Sequence, residues 1–558
     1  MSSPGTRNAR ADDAGWNPTT LAVLSGLWIA TLGNWPLWRA LVALPETDSA
    51  RGLVFMLGFA TMLAALLTAL LCVFAWRFSI KVVIGLFLIS AALGAHFMGA
   101  YGVVIDPTMM ANVLQTDLRE ASDLMNVRLL VSVVVLAGLP LLWLWRVRVQ
   151  RNGWGAQLAR NGLALVVSLV MLAGLLFALF ADLSAIMRNH KSMRYLINPV
   201  NSFYALGALA KESTARPKGP PETLAIDAQA RPPTDGRKPP LLLLVVGETA
   251  RSDHFSLNGY ARATNPELAA QSVISFRDVT SCGTNTAASL PCMFSHLGRQ
   301  AYESREHDHE NLLDAVQRAG LAVLWLDNQS GCKGICARIP NAFARDAAPG
   351  GTPPPAALCT DGECLDEALL HGLDARLAAL PSERRARGVL LVLHQMGSHG
   401  PAYFKRSPPE RKPFLPECTT NALQQCEHQA LLNAYDNSIA YTDHVLSLTI
   451  DWLKRNSRHY DPLLLYVSDH GESLGENNLY LHGLPYALAP REQKHVPMLL
   501  WLPAQTEASS GISARCLRGR RDAPLTHDHL FHTVLQLVGV STSVYRGELD
   551  AFAPCRTR

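Results

Sequence analysis

The segment LLLLVVGETAR at residues 241–251 begins the carboxy-terminal part of the chain with six consecutive apolar residues before Gly247. A run of this length and composition is typical of a parallel-sheet strand, because helices cover both faces of such a sheet. Runs of the same kind recur further along the chain, at residues 322–326, 389–393, 463–467 and 498–502. We predict that these runs are strands of one buried sheet.

Segments with helical periodicity lie between the runs, at residues 312–319, 365–380 and 430–453. Alternating strands and helices predict a doubly wound α/β fold. Ligands of such folds bind at the carboxyl ends of the strands. Several polar residues fall at these ends: Glu248, His394 with His399, and Asp469 with His470. We expect them to meet at one edge of the sheet.

The amino-terminal part is much more apolar. A helix that crosses a bilayer needs roughly 20 mostly apolar residues. Five stretches meet this requirement, at residues 21–44, 53–76, 82–104, 129–145 and 163–183. The first is too long and too rich in tryptophan for a cleaved signal peptide. The sequence therefore predicts an all-α membrane domain with five transmembrane helices.

Basic residues mark one side of these five stretches, namely Arg7, Arg10, Arg77, Lys81, Arg146, Arg148, Arg151 and Arg160. The positive-inside rule then puts the amino terminus in the cytoplasm. Five spans would leave the carboxy-terminal part on the opposite side of the membrane.

The loop at residues 105–128 is too polar to span. Asn112, Thr116 and Glu120 recur in it at helical spacing and would share one face of a short helix. From the residues alone, the simplest interpretation is a solvated interfacial helix. The aromatic, basic and then Pro-rich composition of residues 188–240 predicts an interfacial helix and a linker. The predicted domains are residues 1–187, 188–240 and 241–558.

Ten of the eleven cysteines follow residue 280. Zinc ribbons need C-x-x-C knuckles, which the chain lacks, so we favour five disulfides and an oxidising compartment such as the periplasm. The sequence does not fix the connectivity. The candidate pairs are Cys282–Cys292, Cys332–Cys336, Cys359–Cys364, Cys418–Cys426 and Cys516–Cys555.

The formal net charge is +4, and the basic residues are dispersed. No stripe of Lys and Arg interleaved with aromatic residues is present, which argues against nucleic-acid binding.

Glu248, Asp469 and His470 together offer two carboxylates and an imidazole. This set suits Zn²⁺ with one open position, whereas sets made only of oxygen suit Mg²⁺ or Ca²⁺. Each residue also has a simpler interpretation on its own. Glu248 could cap a helix, Asp469 could pair with Arg251, and His470 could be a buried histidine with satisfied hydrogen bonds.

Thr286 is the candidate nucleophile, because a metal beside it would make its hydroxyl reactive. It precedes a predicted helix at residues 287–297, whose amino-terminal end could bind a phosphoryl oxygen. The alternative is a threonine that only caps this helix. Thr284 and Ser289 are rival hydroxyls that spacing does not exclude.

His399 and His482 lie in loops rich in glycine and proline. They could hold a second zinc or serve as acid and base, and otherwise they are solvated or capping residues. Lys333 could hold a phosphate on a loop between Cys332 and Cys336. An exposed lysine is the alternative.

Taken together, several strings resemble the phosphoethanolamine transferases, most of all the lipid A enzymes that include those conferring polymyxin (colistin) resistance. The strings are VGETAR at 246–251, NGY at 258–260, SCGTNT at 281–286, PCMFS at 291–295, HQMGSHGP at 394–401, SDHGE at 468–472 and LHG at 481–483. The resemblance implies an alkaline-phosphatase-like α/β/α domain and a zinc-dependent enzyme of the Gram-negative inner membrane, which we expect to be a monomer.

The resemblance also implies site roles. Zinc would be held by Glu248, Thr286, Asp469 and His470, with Thr286 as the residue that becomes modified. His399 and His482 would hold a second metal or handle substrate, and Asn328 and Lys333 would lie near the phosphoethanolamine. Asn112, Thr116 and Glu120 match the periplasmic-loop pattern of the family, which replaces the solvated interpretation with substrate binding.

The implied reaction moves phosphoethanolamine from phosphatidylethanolamine to lipid A. Alternatives with the same fold are transfer to core heptose or another glycan, and phosphoglycerol transfer. A sulfatase would need a C/S-x-P-x-R string, which is missing around Thr286. An inactive membrane sensor is the alternative from another class, although such proteins usually lose the metal ligands.

Overall fold

The computed structural model describes residues 15–116, 118–215, 219–231, 237–360 and 362–556. Arg7 and Arg10 lie outside the described residues, as do 216–218 and 232–236 of the predicted linker. The chain divides into two compact units. One comprises Met1–Met110 and Met125–Leu209, and the other comprises Ala111–Leu124 and Ala210–Arg558.

Four helices in the described part of the first unit are long and apolar enough to cross a membrane. They are Ala50–Val73, Ile80–Tyr101, Val127–Arg146 and Trp154–Ala178. These helices overlap the second to fifth predicted spans. The first unit also contains the helix Phe180–Asn189. A further helix, Val200–Ala215, begins in the first unit and ends in the second.

The first predicted span, at residues 21–44, is not one continuous helix. The chain forms a helix at Pro18–Thr31, a 3-10 turn at Leu32–Asn34 and a second helix at Trp35–Val42. Pro36 has no N–H to donate, and its ring clashes with a preceding carbonyl in a continuous helix. Buried Asn34 donates its Nδ2–H to the Ile29 carbonyl at 2.8 Å, which satisfies one acceptor of the ended helix. Five spans are therefore not confirmed, and the topology argument from an odd number of spans loses its support.

The polar loop is also not the single helix that we predicted. One helix spans Pro107–Gln115 and another spans Leu118–Asp123, with Thr116 between them. The Thr116 hydroxyl donates to the Asn112 carbonyl at 2.9 Å, so it takes over one of the last carbonyls of the first helix. The side chain of Glu120 lies outside the described part of the chain.

The second unit contains a sheet of eight strands. In chain order they are β1 (Pro240–Gly247), β2 (Ile274–Thr280), β3 (Ala322–Asp327), β4 (Asn341–Phe343), β5 (Val389–His394), β6 (Asp461–Ser468), β7 (His495–Trp501) and β8 (Leu525–Thr526). Their spatial order is β8-β2-β7-β6-β1-β5-β3-β4. The five predicted strands are confirmed, whereas β2, β4 and β8 were missed.

Strand β7 runs antiparallel to both of its neighbours, β2 and β6, and all other pairs in this sheet are parallel. The expectation that residues 498–502 form a parallel strand is therefore wrong. An apolar run reports that both faces of a strand are buried, and it carries no information about direction.

The register aligns the carboxyl ends of the central strands. Val246 of β1 lies opposite both His394 of β5 and Val467 of β6. Their carboxyl ends consequently stop at the same edge, and the residues that follow them are brought together there.

Helices lie between these strands in the chain at Leu312–Arg318, Leu373–Ala379 and His428–Asn456, and the first and third contact the sheet. The predicted helix at 365–380 is broken into a 3-10 turn at Asp366–Leu370 and the helix Leu373–Ala379. Gly372 between them has φ +65°, a left-handed conformation that a continuous helix excludes.

Ten cysteines form five disulfides: Cys282–Cys292, Cys332–Cys336, Cys359–Cys364, Cys418–Cys426 and Cys516–Cys555. The remaining cysteine, Cys72, is free and lies in a helix of the first unit. Each pair joins candidate partners named from the sequence, and the first closes the loop that carries Thr286.

Candidate active site

Glu248, Asp469 and His470 form a fully buried cluster where β1 and β6 end. One ligand atom from each lies within 4.8 Å of the others. The His470 Nε2 atom is 3.2 Å from Glu248 Oε1 and 3.4 Å from Asp469 Oδ2. Arg251 pairs with Asp253 and Glu476, so the simpler interpretation of Asp469 as its partner is wrong.

This cluster has the donors that a cation needs. Asp469 Oδ2 is buried and has no hydrogen-bond partner among the described residues. The His470 Nδ1–H donates to the Gly471 carbonyl at 2.9 Å, which turns the other ring nitrogen, Nε2, toward the two carboxylates. Two buried carboxylates and one such imidazole fit Zn²⁺.

Without a cation, burial and the neighbouring charges shift the pKa values of the residues in this cluster. Burial, together with the charge of Asp469, raises the pKa of Glu248 to about 7. Burial lowers the pKa of His470, but Asp469 and Glu248 outweigh it and raise the value to about 10. Two buried carboxylates beside one imidazole are an arrangement that favours binding of a cation or a proton.

The Thr286 hydroxyl is directed at this cluster. It lies 3.1 Å from Glu248 Oε1 and 3.5 Å from His470 Nε2. The rival hydroxyls are engaged elsewhere, since Thr284 donates to the Leu484 carbonyl and Ser289 to the Asp469 carbonyl. Of the three hydroxyls, Thr286 is the one that contacts the carboxylate and the imidazole.

Local structure fixes Thr286 at the first position of a helix, Thr286–Met293. The side chain of Asn285 caps this helix by accepting the Ala288 N–H at 2.9 Å. The cap belongs to Asn285, so the alternative in which Thr286 is only a cap is wrong.

His399 and His482 lie beside the cluster. The ring of His482 is 4.4 Å from that of His470 and 5.6 Å from that of His399, measured between centroids. Burial lowers the pKa of both residues well below the usual histidine value. Buried Glu472 faces His482 Nδ1 at 3.3 Å. The two histidines are therefore neutral groups next to the proposed reaction centre.

Comparisons with known proteins agree with this geometry. Residues 240–540 match the sulfatase family model, and residues 63–214 match the model of the phosphoethanolamine transferases EptA/EptB. Phosphatidylethanolamine transferase Mcr-1 of Escherichia coli is 42% identical and aligns over 85% of this chain and 86% of its own length. Mcr-2 of Escherichia coli is 39% identical over 94% and 96%. The chain belongs to the phosphoethanolamine transferase family.

The fold of this transferase matches the family over its full length. The integral membrane lipooligosaccharide phosphoethanolamine transferase A (EptA) of Neisseria meningitidis superimposes with a TM-score of 0.90 at 34% identity, covering 97% of this chain and 99% of that chain. The soluble domain of the same enzyme matches 61% of this chain with a TM-score of 0.56 and 41% identity. The second unit of this transferase therefore has the alkaline-phosphatase-like fold.

Asn328 and Lys333 follow strand β3, and Lys333 lies on the short loop closed by Cys332–Cys336. The Asn328 amide donates to the Cys364 carbonyl and to Asp366 Oδ1, both at 2.8 Å. The Lys333 ammonium donates to Ser330 Oγ at 2.8 Å, and its charge contributes to the lowered pKa of His399. Of the two histidines, it is thus His399 on which the charge of Lys333 acts.

The hydrogen bonds of the described residues link Asn112 and Thr116 to each other and not to the buried cluster. Both residues nevertheless belong to the unit that contains this cluster.

Two further histidines of the transferase have no assigned role in the sequence. His394, the last residue of β5, donates its Nδ1–H to Asp327 Oδ2 at 3.0 Å, while its Nε2 lies 3.9 Å from Glu248 Oε2. His527 accepts the Cys282 N–H and donates to the Ser468 carbonyl, so it links the loop that carries Thr286 to the end of β6. The signal for His394 was its place at a strand end, whereas His527 follows a two-residue strand that no periodicity reveals.

Proposed function

We propose that this chain transfers phosphoethanolamine from phosphatidylethanolamine to a phosphate or sugar hydroxyl of lipid A, through a covalent intermediate on Thr286. The contact of the Thr286 hydroxyl with Glu248 and His470 carries this proposal. The Mcr relatives are phosphatidylethanolamine transferases, which supports this donor.

Zinc would be held by Glu248, Thr286, Asp469 and His470, and a second zinc or the substrate would be held by His399 and His482. When bound, zinc supplies positive charge beside the Thr286 oxygen and so lowers the free energy of its deprotonation. Asn328 and Lys333 would contact the phosphoethanolamine group, and Asn112, Thr116 and Glu120 would contact the lipid substrate.

In the first step, Thr286 Oγ1 forms a bond to the donor phosphorus, and the bond from phosphorus to the diacylglycerol oxygen breaks. The hydroxyl proton moves toward Glu248, its hydrogen-bond partner. The imidazoles of His399 and His482 relay this proton to the diacylglycerol oxygen, so both rings are neutral before and after the step. In the second step, a hydroxyl or phosphate oxygen of lipid A forms a bond to the same phosphorus, and the bond from phosphorus to Thr286 Oγ1 breaks. The proton that lipid A loses returns to Thr286 Oγ1 through Glu248.

The proposed setting is the Gram-negative inner membrane, with a monomer whose residues 1–187 lie in the membrane, 188–240 form the interfacial helix and linker, and 241–558 lie in the periplasm. Adding ethanolamine to lipid A masks phosphate charge, which weakens the electrostatic attraction of cationic peptides. The expected cellular result is polymyxin tolerance.

Mass spectrometry of lipid A tests the substrate assignment. The full chain is expressed in Gram-negative cells whose lipid A lacks phosphoethanolamine, and lipid A is compared with that of cells carrying an empty vector. Phosphoethanolamine on lipid A is the expected result. Phosphoethanolamine confined to core heptose, or glycerol phosphate on a glycan, would contradict the proposed acceptor or the transferred group.

A pair of threonine variants tests the nucleophile. Thr286→Ala should fold and show no phosphoethanolamine adduct in intact-mass spectra after incubation with the donor. Thr284→Ala is the matched control and should retain the adduct, because it removes a buried hydroxyl two residues earlier in the same loop that bonds the Leu484 carbonyl and not Glu248. A normal adduct on Thr286→Ala would rule out this nucleophile.

A further inference from the structure

The short segment Ala111–Leu124 lies in sequence between two membrane-length helices, yet it belongs to the unit that contains the sheet. Its second helix, Leu118–Asp123, has six residues. A helix this short is not stable by itself in water, because the cost of nucleation exceeds the gain from its few hydrogen bonds. Its position must therefore come from side-chain contacts.

Asp123 provides these contacts. Its side chain is buried, with 2% of the residue exposed. The Arg406 guanidinium donates to Asp123 Oδ2 at 2.7 Å, and the Lys405 ammonium donates to Oδ1. The Asn421 amide donates to the Asp123 backbone carbonyl at 2.6 Å. Both carboxylate oxygens and the carbonyl are thus held by groups of the catalytic unit.

Arg406 extends this contact toward the active site. Besides the bond to Asp123, its Nε–H donates to the His399 backbone carbonyl at 2.8 Å. Arg406 is itself buried, with 7% of the residue exposed. The Arg406 guanidinium therefore binds both the end of the Leu118–Asp123 helix and the backbone of His399.

We propose that Asp123 is a positioning residue of the transferase, which holds the segment Ala111–Leu124 at the active-site loop through Arg406. Asp123 touches no reacting atom. It affects substrate binding because the segment that it holds carries Asn112, Thr116 and Glu120. This inference rests on the proposed function, in which these three residues contact the lipid substrate. Removing the carboxylate leaves Arg406 with only its longer ion pair to Glu363, at 3.8 Å, takes the ion-pair partner of Lys405 away and frees the helix that ends at Asp123.

The test uses the full chain in detergent-free lipid nanodiscs and the variant Asp123→Asn, which keeps the shape of the side chain and removes its charge. Hydrogen exchange of the peptides that cover residues 111–124 should accelerate by about tenfold or more. The KM for a fluorescent phosphatidylethanolamine should rise by about tenfold while kcat changes less, because loss of a binding segment weakens substrate binding before chemistry. Bound zinc should be unchanged.

Asp550→Asn is the matched control. Asp550 is a buried carboxylate that pairs with Arg556 at 3.2 Å, and both residues lie within the carboxy-terminal part of the chain. This variant should leave the exchange of residues 111–124 and the KM unchanged. Asp123→Glu, which restores the charge, should recover part of the protection and of the KM.

Lys405→Met serves as a second variant if Asp123→Asn accumulates poorly, because it removes the more exposed cation and leaves the Arg406 pair. It should accelerate exchange of the same peptides by about threefold. Unchanged exchange in either variant would overturn the proposal, and so would faster exchange with an unchanged donor KM. Failure of the proposed function is a separate result, seen as wild-type protein that forms no adduct on Thr286 although residues 111–124 are protected.

Discussion

The imidazole of His527 accepts the backbone N–H of Cys282 at a distance of 3.1 Å. Its other nitrogen, Nε2, faces the Ser468 carbonyl at 3.0 Å and donates to it. These two bonds define a neutral ring with the proton on Nε2. The ring therefore joins the loop that carries Thr286 to the strand end that carries Asp469, and it does so only while it remains unprotonated at Nδ1.

This contact predicts a dependence of stability on pH. Burial lowers the pKa of His527 to about 4, below the value of roughly 6.5 for an unfolded histidine. Between these values the unfolded chain binds the extra proton, so the free energy of unfolding rises with pH and is lost as pH falls. The loss between pH 7 and pH 5 should be on the order of 2 kcal/mol.

Urea unfolding of the protein at the two pH values measures this loss. Other groups titrate in the same range, so the comparison is with His527→Gln, which keeps a donor for the Ser468 carbonyl and does not titrate. The variant should be less stable at pH 7 but lose less on acidification. Equal losses in both proteins would show that His527 is not the responsible group.

The backbone conformation at position 397, and the lack of space for a side chain there, explain why the HQMGSHGP string has a glycine at this position. Its φ is +54°, and a Cβ added there would lie 2.7 Å from the Glu248 carbonyl oxygen and 2.9 Å from its nitrogen. We predict that Gly397→Ala displaces Glu248, lowers zinc affinity by about tenfold or more and destabilises the fold by roughly 1–3 kcal/mol.

Gly350→Ala is the control for this variant, because Gly350 has φ +70° and open space where the Cβ would be. It carries the same kind of backbone strain without the clash. Zinc titration by competition with a chelating dye should leave Gly350→Ala like the wild type. Normal zinc affinity in Gly397→Ala would show that the loop yields without moving Glu248.

Much of the site was accessible from the sequence because its residues are adjacent to strands. Glu248 and Asp469 follow β1 and β6 directly, and a parallel register makes their convergence a geometrical necessity. Asp123 and His527 could not be found in this way. Their partners are far along the chain, and no local pattern encodes a contact that depends on how loops fold back.

The failures in the fold have similar causes. The helix of the first predicted span is broken at Asn34 by one proline and one buried amide, and the hydropathy of this stretch is uniformly apolar. The direction of β7 depends on its neighbours in space, whereas its apolar composition reports only burial.

Asp366 organises the loop that precedes His399. Its carboxylate is buried and accepts the N–H groups of Met396 at 2.7 Å and Gly397 at 2.9 Å, as well as the Asn328 amide. In Asp366→Asn, the new amide hydrogens would face one of these donors. We predict a loss of about 1–3 kcal/mol in the free energy of unfolding and a raised donor KM, because Asn328 loses its position.

Steady-state kinetics with a fluorescent donor and urea unfolding check both parts of this prediction. Asp443→Asn is a suitable comparison, because Asp443 likewise accepts two backbone N–H groups, from Glu267 and Leu268, and contacts no active-site residue. It should lose stability without a change in KM. A normal donor KM in Asp366→Asn would show that the position of Asn328 does not affect substrate binding.

Removal of metal should destabilise the protein because the buried carboxylates of Glu248 and Asp469 then lose the cation between them. Without a cation the pKa of Glu248 is raised to about 7 and that of His470 to about 10, so protons compete with zinc for both groups as pH falls. Zinc must displace these protons, so its affinity should fall as pH is lowered from 8 to 6. Addition of a chelator should lower Tm, since a ligand at 100 times its Kd stabilises a fold by about 2.7 kcal/mol.

Asp469→Asn distinguishes this explanation from a general sensitivity to chelators. The variant loses a ligand and also one of the two repelling carboxylates, so its metal-free form should be at least as stable as that of the wild type. Differential scanning fluorimetry with and without chelator should then show a smaller shift in Tm for Asp469→Asn than for the wild type. An equal shift would place the stabilising metal elsewhere, because a cation bound at Asp469 cannot stabilise the fold equally when that carboxylate is gone.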